Sequence, residues 1–468
     1  MSARRPVRPD AANESPASPD RFGPLWLRSQ LRSLITTLRN RSLCVAYSGG
    51  LDSTALLCAL GALRGREGLR LRALHVNHQL QPLAGHWARQ ARRNARRLRV
   101  PCDVLTVTVH RAKGESLEAA ARAARYRALV SELDPGEVLL TAHHQEDQLE
   151  TVLLALMRGS GLRGLSAMTP VSSVGGFCLL RPLLPVPHAQ LEHFLKARKI
   201  SWSEDPSNTD ERFDRNYLRR TVVPLLRARW PAVAATAGRS AALLSQARVI
   251  LERLADKQLQ QARDGRALRV SVLRRLPAPE RVNALRTWLS EQALPMPDQR
   301  RMREISGPML MARSDAMPCV QWQGAQLRRH GDRLLAFAGE EDAAREAALE
   351  VAHWNWRAQP WLSLGAGGLL GLMHDPHGDV RLSALPPTLR VRYRRAGERL
   401  TGTQGSIALK DLLQQRGLAP WERDCVPLVM HHRTVVAVAD LWLSPKYVAQ
   451  RGEPSARARF RWRHHFSD

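Results

Sequence analysis

Apolar runs with the length of β-strands alternate with helical patterns over residues 43–230 of the chain. The first run, Leu43 to Tyr47, has the β-branched Val45 at its centre, as in a strand that is buried on both faces. Such alternation predicts a parallel sheet covered by helices, with ligands bound beyond the carboxyl ends of the strands. The predicted strands are 43–47, 71–76, 103–109, 138–142 and, interrupted by a proline, 179–184, and helices are predicted at 84–98, 116–133 and 145–157.

The rest of the chain changes its pattern twice. An alanine-rich helical pattern follows Pro231 and predicts a largely helical domain over residues 231–339. Residues 340–388 contain several Trp and Gly residues without a period, so we expect an irregular connection, and residues 389–468 are typical of a small α+β domain. Residues 1–20 are rich in Pro, Ala, Ser and charge, and are predicted to be a disordered leader to an α/β domain over 21–230.

A glycine turn separates the first predicted strand from the helix that follows it. Ser48-Gly49-Gly50 ends the strand pattern, and Leu51-Asp52-Ser53 begins a helix. Glycines allow close approach of the backbone, and successive N–H groups at a helix N-terminus attract anions, so this turn predicts a phosphate or pyrophosphate site. The turn fits neither of the common glycine-rich nucleotide motifs. The alternative interpretation is a simple connection between two elements.

A second polar segment follows the predicted strand at 138–142. His143, Asp147 and Glu150 fall on one face of a helix, because they are four and three residues apart. Two carboxylates beside a phosphate loop suit Mg²⁺, and they could equally hold a cationic substrate. A zinc site is disfavoured because no further ligands have suitable spacing. The structural alternative is that these acids complement the helix dipole.

The charge of the chain is an argument about its partners. Lys and Arg number 71 against 43 Asp and Glu, which leaves a formal net charge of +28. The leading partner for so basic a protein is nucleic acid, although a general preference for arginine would give the same composition. Six arginines crowd the helix predicted at 84–98 and its end, where they could follow phosphates or form a solvated face: Arg89, Arg92, Arg93, Arg96, Arg97 and Arg99.

The cysteine spacing and the hydropathy of the chain indicate the cellular compartment in which the protein is expected. The six cysteines form no CxxC pair, which argues for a reducing compartment and against a disulfide framework. The N-terminus has no signal-peptide pattern, and no apolar run is long enough to span a membrane. We therefore expect a cytoplasmic protein.

Several motifs in sequence order give the chain a family resemblance. They are SGGLDST from Ser48, HVNHQL from His75, SLEAAARAARY from Ser116, TAHHQEDQLET from Thr141, RGSGLRGLSAM from Arg158, WSEDPSN from Trp202, RNYLRRTVVPLLRARWP from Arg215 and ALKDLLQQRGLAPWERDCVPLV from Ala408. Together they resemble the tRNA(Ile)-lysidine synthetase family of PP-loop, or N-type, ATP pyrophosphatases. Asp411 departs from the family, which usually has a second Lys there, and this puts one RNA contact in doubt.

The resemblance implies that the wobble cytidine of an isoleucine tRNA with a CAU anticodon is converted into lysidine. The cytidine would be adenylated by ATP and then attacked by free lysine, with Mg²⁺ as the metal ion. Ser48 to Ser53 would bind ATP, Asp52 and His143 would serve catalysis, and Arg122 or Arg125 would clamp a phosphate. Asp147 and Glu150 would bind the metal or the lysine ammonium, and the sequence leaves this choice open. His75, Asn77 and His78 follow a strand and could line the same site.

Basic residues of the C-terminal segment are the expected contacts to tRNA. Arginines surround the strand at 389–393, and Arg457 to Arg463 alternate with Phe460 and Trp462. These two aromatic residues could stack on RNA or fill the core face of a last strand. The candidate tRNA contacts are Arg392, Arg395, Lys410, Arg416, Trp421 and Arg423.

Other functions remain open at this point. A tRNA thiolase with an iron–sulfur cluster would need clustered cysteines, and a GMP or NAD synthetase would not need so basic a chain. A non-catalytic RNA-binding protein with a vestigial nucleotide site is the third alternative. The sequence does not decide the oligomeric state, and a homodimer is possible.

Overall fold

The computed structural model describes residues 21–79, 81, 83–110, 117–203, 210–338, 352–364, 368–395, 397–402, 405–418, 420–449 and 457–463. The predicted leader at residues 1–20 lies outside this range. The chain divides between Val249 and Ile250 into two compact units. No described helix is long and apolar enough to cross a membrane.

The first unit contains a six-stranded sheet in the order β3-β2-β1-β4-β6-β5. Strands β1, β2, β3, β4 and β6 run parallel, and β5 pairs antiparallel with β6. The sheet therefore confirms the predicted parallel α/β fold, and its chain order reverses direction between β1 and β4. The strands are β1 Ser42–Ala46, β2 Arg70–Asn77, β3 Cys102–Thr106, β4 Val138–Leu140, β5 Val171–Val174 and β6 Phe177–Leu180.

Helices cover this sheet because their apolar faces pack on it. The main core contains Leu43 and Val45 of β1 together with Leu56 and Leu60 of the following helix. A smaller core contains Cys44 and Leu139 and therefore lies on the opposite face of β1. The helices are α1 Pro24–Leu34, α2 Leu51–Glu67, α3 Ala84–Arg97, α4 Leu117–Ser131, α5 Gln145–Met157, α6 Leu162–Leu165, α7 His188–Ala197, α8 Asp214–Tyr217 and α9 Val223–Arg229.

The expectation of a largely helical segment at 231–339 is incomplete. The helices α10 Val233–Ala262, α11 Val270–Arg275, α12 Ala278–Glu291 and α13 Gln299–Glu304 are present, and they are accompanied by a five-stranded sheet ordered β7-β8-β11-β10-β9. Trp288 and Leu327 share one buried core, so helices and sheet fold together. The strands are β7 Arg263–Asp264, β8 Ala267–Arg269, β9 Cys319–Trp322, β10 Ala325–His330 and β11 Arg333–Ala338.

The expectation of an irregular connection at 340–388 is wrong for the described residues in that range. Strands β12 Ala352–Trp354, β13 Trp361–Ser363, β14 Leu369–His374 and β15 Val380–Arg381 occur there. These strands have two to six residues, too few to show a clear period. Three of them pair with strands that come later in the chain, because β12 pairs with Leu389–Tyr393 while β14 and β15 pair with Arg457–Arg463.

The C-terminal part has the predicted α+β character. One sheet is ordered β12-β16-β19-β20-β21, a second is ordered β13-β14-β22-β15, and β17 pairs with β18. The elements from residue 389 onward are β16 Leu389–Tyr393, β17 Arg399–Gly402, β18 Gly405–Ala408, α14 Leu409–Gln415, α15 Pro420–Arg423, β19 Pro427–His431, β20 Thr434–Val438, β21 Trp442–Leu443 and β22 Arg457–Arg463.

Candidate active site

The glycine turn joins β1 to α2 and is held by its own serines. Gly49 has a φ of +83°, a conformation that a glycine adopts without strain. The Ser48 hydroxyl accepts a hydrogen bond from the Gly50 N–H at 3.2 Å and lies 3.0 Å from the Ser53 hydroxyl. The Gly49 carbonyl accepts a hydrogen bond from the Ser203 N–H at 2.9 Å. The turn is therefore preorganised, with its N–H groups at the start of a 17-residue helix that favours bound anions.

Asp52, in the first turn of α2, faces two histidines that come from other elements. Its Oδ2 lies 3.7 Å from His144 Nε2, and its Oδ1 lies 3.6 Å from His188 Nε2. Oδ1 is buried and has no hydrogen-bond partner among the described residues. Burial raises the pKa of Asp52, against the opposing influence of His144 and His188. Such an orphaned carboxylate oxygen is suited to a cation or to a donor from a substrate.

The imidazole of His144 lies between three carboxylates of the site, those of Asp52, Glu146 and Asp147. It is the N-cap of α5, its Nδ1 lies 2.9 Å from Glu146 Oε2, and its Nε2 lies 3.5 Å from Asp147 Oδ2. Burial alone would lower the pKa of His144, but Asp147, Glu146 and Asp52 raise it to about 9. The imidazole is therefore protonated at neutral pH, so Nδ1 donates to Glu146 and cannot also accept from a backbone N–H.

Glu146 lies behind this imidazolium and fixes its orientation. Burial opposes ionisation, yet the hydrogen bonds from His144, the His188 N–H and Arg227 lower the pKa of Glu146 to about 2. The His188 N–H donates to Glu146 Oε2 at 3.0 Å, and Arg227 forms an ion pair with Oε1. Glu146 therefore ties α5 to the start of α7 and to α9.

Asp147 and Glu150 share an arginine but have different surroundings. Glu150 is 1% exposed, and its carboxylate is held by Arg219 Nε at 2.6 Å and Arg215 Nε at 3.1 Å. Asp147 accepts from Arg219 at 3.1 Å and from the His144 N–H at 3.0 Å. Burial acts to raise the pKa of Asp147, but the charge of His144 outweighs it and holds this pKa below its usual value. Two guanidinium groups thus neutralise Glu150, while Asp147 remains next to His144.

A cavity of about 510 Å³ lies beside the glycine turn. Asp52 and Asp147 are the carboxylates among the described residues that line it, and Glu150 is not among those lining residues. The predicted pair of Asp147 and Glu150 therefore does not face the cavity as a pair. Other lining residues with polar side chains include Ser48, Ser53, His75, Asn77, His78, Arg125, Thr141, His143 and Ser203.

Of the two candidate phosphate clamps on α4, Arg125 lines the cavity and Arg122 is not among its described lining residues. Both guanidinium groups lie over the Tyr126 ring, with Cζ 5.2 Å from its centre for Arg122 and 5.7 Å for Arg125. Of the two, Arg125 is therefore the one whose position lets it face a ligand in the cavity.

The neutral histidines of the cavity differ from His144. Burial lowers the pKa of His143 to about 3, and nearby Arg122 adds to this effect. His143 Nδ1 lies 2.9 Å from the Thr141 hydroxyl. Burial also lowers the pKa of His75, whose Nδ1 donates to the Tyr47 carbonyl at 3.0 Å. Neutral imidazoles at these positions orient polar groups without adding charge.

Sequence reasoning missed the partners that come from 188–227. His188, Arg215, Arg219 and Arg227 contact the acids of the site. Arg215, Arg219 and Arg227 belong to the RNYLRRTVVPLLRARWP motif, whose five arginines before its tryptophan were the available signal. His188 follows Pro187 at the start of α7, and no local pattern singles it out.

The predicted tRNA contacts of the second unit differ in their surroundings. Arg395, Lys410 and Arg416 are exposed, and so is Asp411. Arg392 is paired with Glu398, and Arg423 donates to the Leu418 carbonyl at 2.8 Å. The side chain of Trp421 lies outside the described part of the chain.

The two aromatic residues of the last described strand belong to the core. Phe460 is 3% exposed and Trp462 is 8% exposed, and both pack in the same cluster as Leu428. Arg461 and Arg463 point to solvent on the other face of β22. The stacking role considered for Phe460 and Trp462 is therefore wrong, because alternate residues of a strand face opposite sides.

Three family models match the chain. A PP-loop domain matches residues 26–226, a TilS substrate-binding domain matches 268–335, and a TilS substrate C-terminal domain matches 389–462. The first matched region contains all the described residues that line the cavity, and also His188, Arg215 and Arg219.

Curated relatives extend over nearly all of the chain. A tRNA(Ile)-lysidine synthase of Alkalilimnicola ehrlichii is 41% identical over 87% of this chain and 92% of its own length. Proteins of the same name from Methylococcus capsulatus and Coxiella burnetii are 38% and 34% identical, over 86% and 89% of this chain and 92% and 93% of theirs.

Proposed function

The chain belongs to the tRNA(Ile)-lysidine synthase family, and we propose that it joins lysine to C2 of a tRNA wobble cytidine. It is an ATP-dependent ligase that modifies tRNA. Its substrates are ATP, free L-lysine and an isoleucine tRNA with a CAU anticodon. The observation that carries this proposal is the shared cavity of the glycine turn, Asp52, Asp147 and His143.

The reaction has two steps, adenylation of the cytidine and displacement of AMP by lysine. The O2 atom of the cytidine attacks the α-phosphate of ATP, a P–O bond forms, and pyrophosphate leaves. The lysine ε-amine then attacks C2 and loses a proton, and the C2–O bond breaks to release AMP. The N–H groups of the glycine turn and the dipole of α2 stabilise the negative charge of the pyrophosphate as it leaves. Arg125 lies in the same cavity and adds a positive charge.

Mg²⁺ fits the donors at Asp52. The buried Oδ1 of Asp52, which accepts no hydrogen bond from the described residues, is a carboxylate oxygen, the ligand type that Mg²⁺ prefers. Asp52 would hold the ion. When bound, Mg²⁺ neutralises charge on the phosphates of ATP. This assignment replaces the pair of Asp147 and Glu150, because Glu150 is already neutralised by Arg215 and Arg219.

The lysine ammonium requires a carboxylate in the cavity, and Asp147 supports this role. It is ionised at neutral pH, since its pKa is lowered by His144, and it lines the cavity. Glu150 instead positions Arg219, which also contacts Asp147. His144 remains protonated beside Asp52 and Asp147 and limits the repulsion between them.

The exposed basic side chains of the C-terminal region support a role in tRNA binding. Arg395, Lys410 and Arg416 are solvent-accessible, and cations at such positions bind phosphates without base specificity. Truncation at Leu389 is not a clean test, because β12 and β14 precede that residue and pair with β16 and β22. Point substitutions leave both sheets intact.

Nucleoside analysis tests the proposed function directly. An unmodified isoleucine tRNA transcript with a CAU anticodon is incubated with the full-length protein, ATP and lysine. Lysidine should appear together with AMP and pyrophosphate. A matched transcript with uridine at the wobble position should give neither lysidine nor tRNA-dependent pyrophosphate. Pyrophosphate release without lysidine on the cytidine transcript would contradict the assignment of lysine as the second substrate.

A further inference from the structure

A second cavity in the first unit is lined by arginines. It has a volume of about 760 Å³ and lies along α3 and the turn that follows it, with Val100, Pro101 and Cys102 as its uncharged lining. We call this surface the arginine groove. Its charged lining residues are Arg89, Arg92, Arg93, Arg96 and Arg99.

The charge of the arginine groove is not compensated locally. Residues 84–102 contain six arginines and no Asp or Glu. None of the five lining arginines forms an ion pair with any residue that the structure describes, and all five are exposed. By contrast, Arg72 on the neighbouring strand is paired with Glu137 at 2.6 Å. Accumulation of unpaired guanidinium groups on one helix face costs electrostatic energy unless an anion binds there.

The other face of α3 forms a wall of the active-site cavity. Ala84 and Trp87 line that cavity, and a Cβ on Gly49 would lie 3.4 Å from Ala91 Cβ. Ala91 is fully buried, and Asn94 donates to the Ser201 carbonyl at 3.3 Å. One helix therefore packs directly on the glycine turn and presents its arginines on the outside.

We propose that the arginine groove binds backbone phosphates of the tRNA whose wobble base lies in the active-site cavity. The inference rests on the proposed function, since it assigns part of the binding surface for that substrate. Arg89, Arg93 and Arg96 follow a helical spacing of four and three residues, so they form one row about 10 Å long along α3. Guanidinium groups match phosphate oxygens in geometry as well as charge. The groove contributes affinity and register, and it reads no base.

The test removes two charges from the groove without touching the cavity. The variant Arg93→Gln/Arg96→Gln changes two exposed side chains that form no hydrogen bond or ion pair with the described residues. The matched control Arg39→Gln/Arg66→Gln removes the same charge from exposed residues that line neither cavity. Binding of the isoleucine tRNA transcript is measured at several salt concentrations for both full-length proteins and the wild type.

The groove variant should bind tRNA about tenfold more weakly at low salt, and its slope of log affinity against log salt should fall by about 1.4, since each single-strand phosphate contact contributes about 0.7. The control should change neither quantity by a comparable amount. Lysidine formation should show a raised KM for tRNA with an unchanged kcat, and the affinity for ATP should be unchanged.

A second measurement on the wild-type protein keeps the test decisive if the variant folds poorly. The tRNA transcript should protect Arg93 and Arg96 from an arginine-modifying dicarbonyl reagent, as read by peptide mass spectrometry, and Arg39 and Arg66 should remain reactive. An unchanged salt slope in a folded variant, or equal reactivity with and without tRNA, would overturn the inference. Protection by vesicles that contain phosphatidylserine, but not by tRNA, would also overturn it in favour of a membrane surface. In each case lysidine formation by the wild type would leave the proposed function standing.

Discussion

The acids around the active-site cavity and the basic residues of the C-terminal region hold their charges in opposite ways. Glu146, Asp147 and Glu150 are largely buried, and each contacts a cation from a distant part of the chain. The C-terminal region has a buried apolar core, and its basic side chains Arg395, Lys410 and Arg416 are exposed to solvent. The buried charges set geometry and protonation, whereas the exposed charges supply attraction that salt screens. Substitutions in the two regions should therefore fail in different ways.

The largest effect is expected at Asp52. Asp52→Asn keeps the size of the side chain but removes the charge beside the glycine turn, so tRNA-dependent pyrophosphate release should fall by at least about 100-fold. Thermal unfolding should stay close to that of the wild type, because Asp52 Oδ1 makes no hydrogen bond with the described residues. Near-normal turnover by the folded variant would remove Asp52 from the mechanism.

A substitution at Glu150 distinguishes a structural role of this carboxylate from a direct role in binding lysine. Glu150→Gln weakens the contacts to Arg215 and Arg219, and the free energy of unfolding should fall by about 1–3 kcal/mol. Adenylated intermediate and lysidine, measured separately, should decrease together. A selective loss of lysine use, with adenylation unchanged, would show that Glu150 binds the ammonium directly. Glu192→Gln, which disrupts an ion pair with Lys196 on the helix surface, serves as the control.

His144 should make the protein sensitive to alkaline pH. Its pKa is about 9 in the folded state and about 6.5 when unfolded, so its stabilising contribution is complete below pH 6.5 and is lost as the pH rises through 9. Chemical denaturation of the wild type between pH 6 and 10 should show this decline, and His144→Gln should show a smaller one. Equal slopes in both proteins would mean that another group titrates.

The smallest effects should come from the exposed C-terminal cations. Arg395→Gln/Lys410→Gln should lower the salt slope of tRNA binding by about 1 to 2 without changing the affinity for ATP. Stability should change by less than about 0.5 kcal/mol, as is typical of exposed sites. Phe460→Leu provides the contrast within the same region, because it should destabilise the buried core and leave the salt slope intact. A change in salt slope for Phe460→Leu would indicate that this core shapes the RNA surface.

The sequence by itself determined the features that depend on neighbouring residues. The strand–turn–helix around Gly49, the parallel α/β fold and the first turn of α5 follow from apolar periodicity and from glycine conformation. The fit to the family followed from the order of its motifs. Each strand, turn and helix start is a local property, so a run of about ten residues is enough to specify it, and the fold and the family follow from the order of these local patterns along the chain.

Only the tertiary structure decided which charged groups meet. Asp147 and Glu150 are equivalent in the sequence pattern, yet Arg215 and Arg219, which come 65 and 69 residues after Glu150, neutralise Glu150 while Asp147 lines the cavity. His188 reaches Asp52 in the same way, and the short strands at 352–381 take their places from partners later in the chain. The physical reason is that the ion pairs and the strand pairs are long-range contacts. Their partners are brought together by packing of the whole unit, and no local periodicity records where they will be.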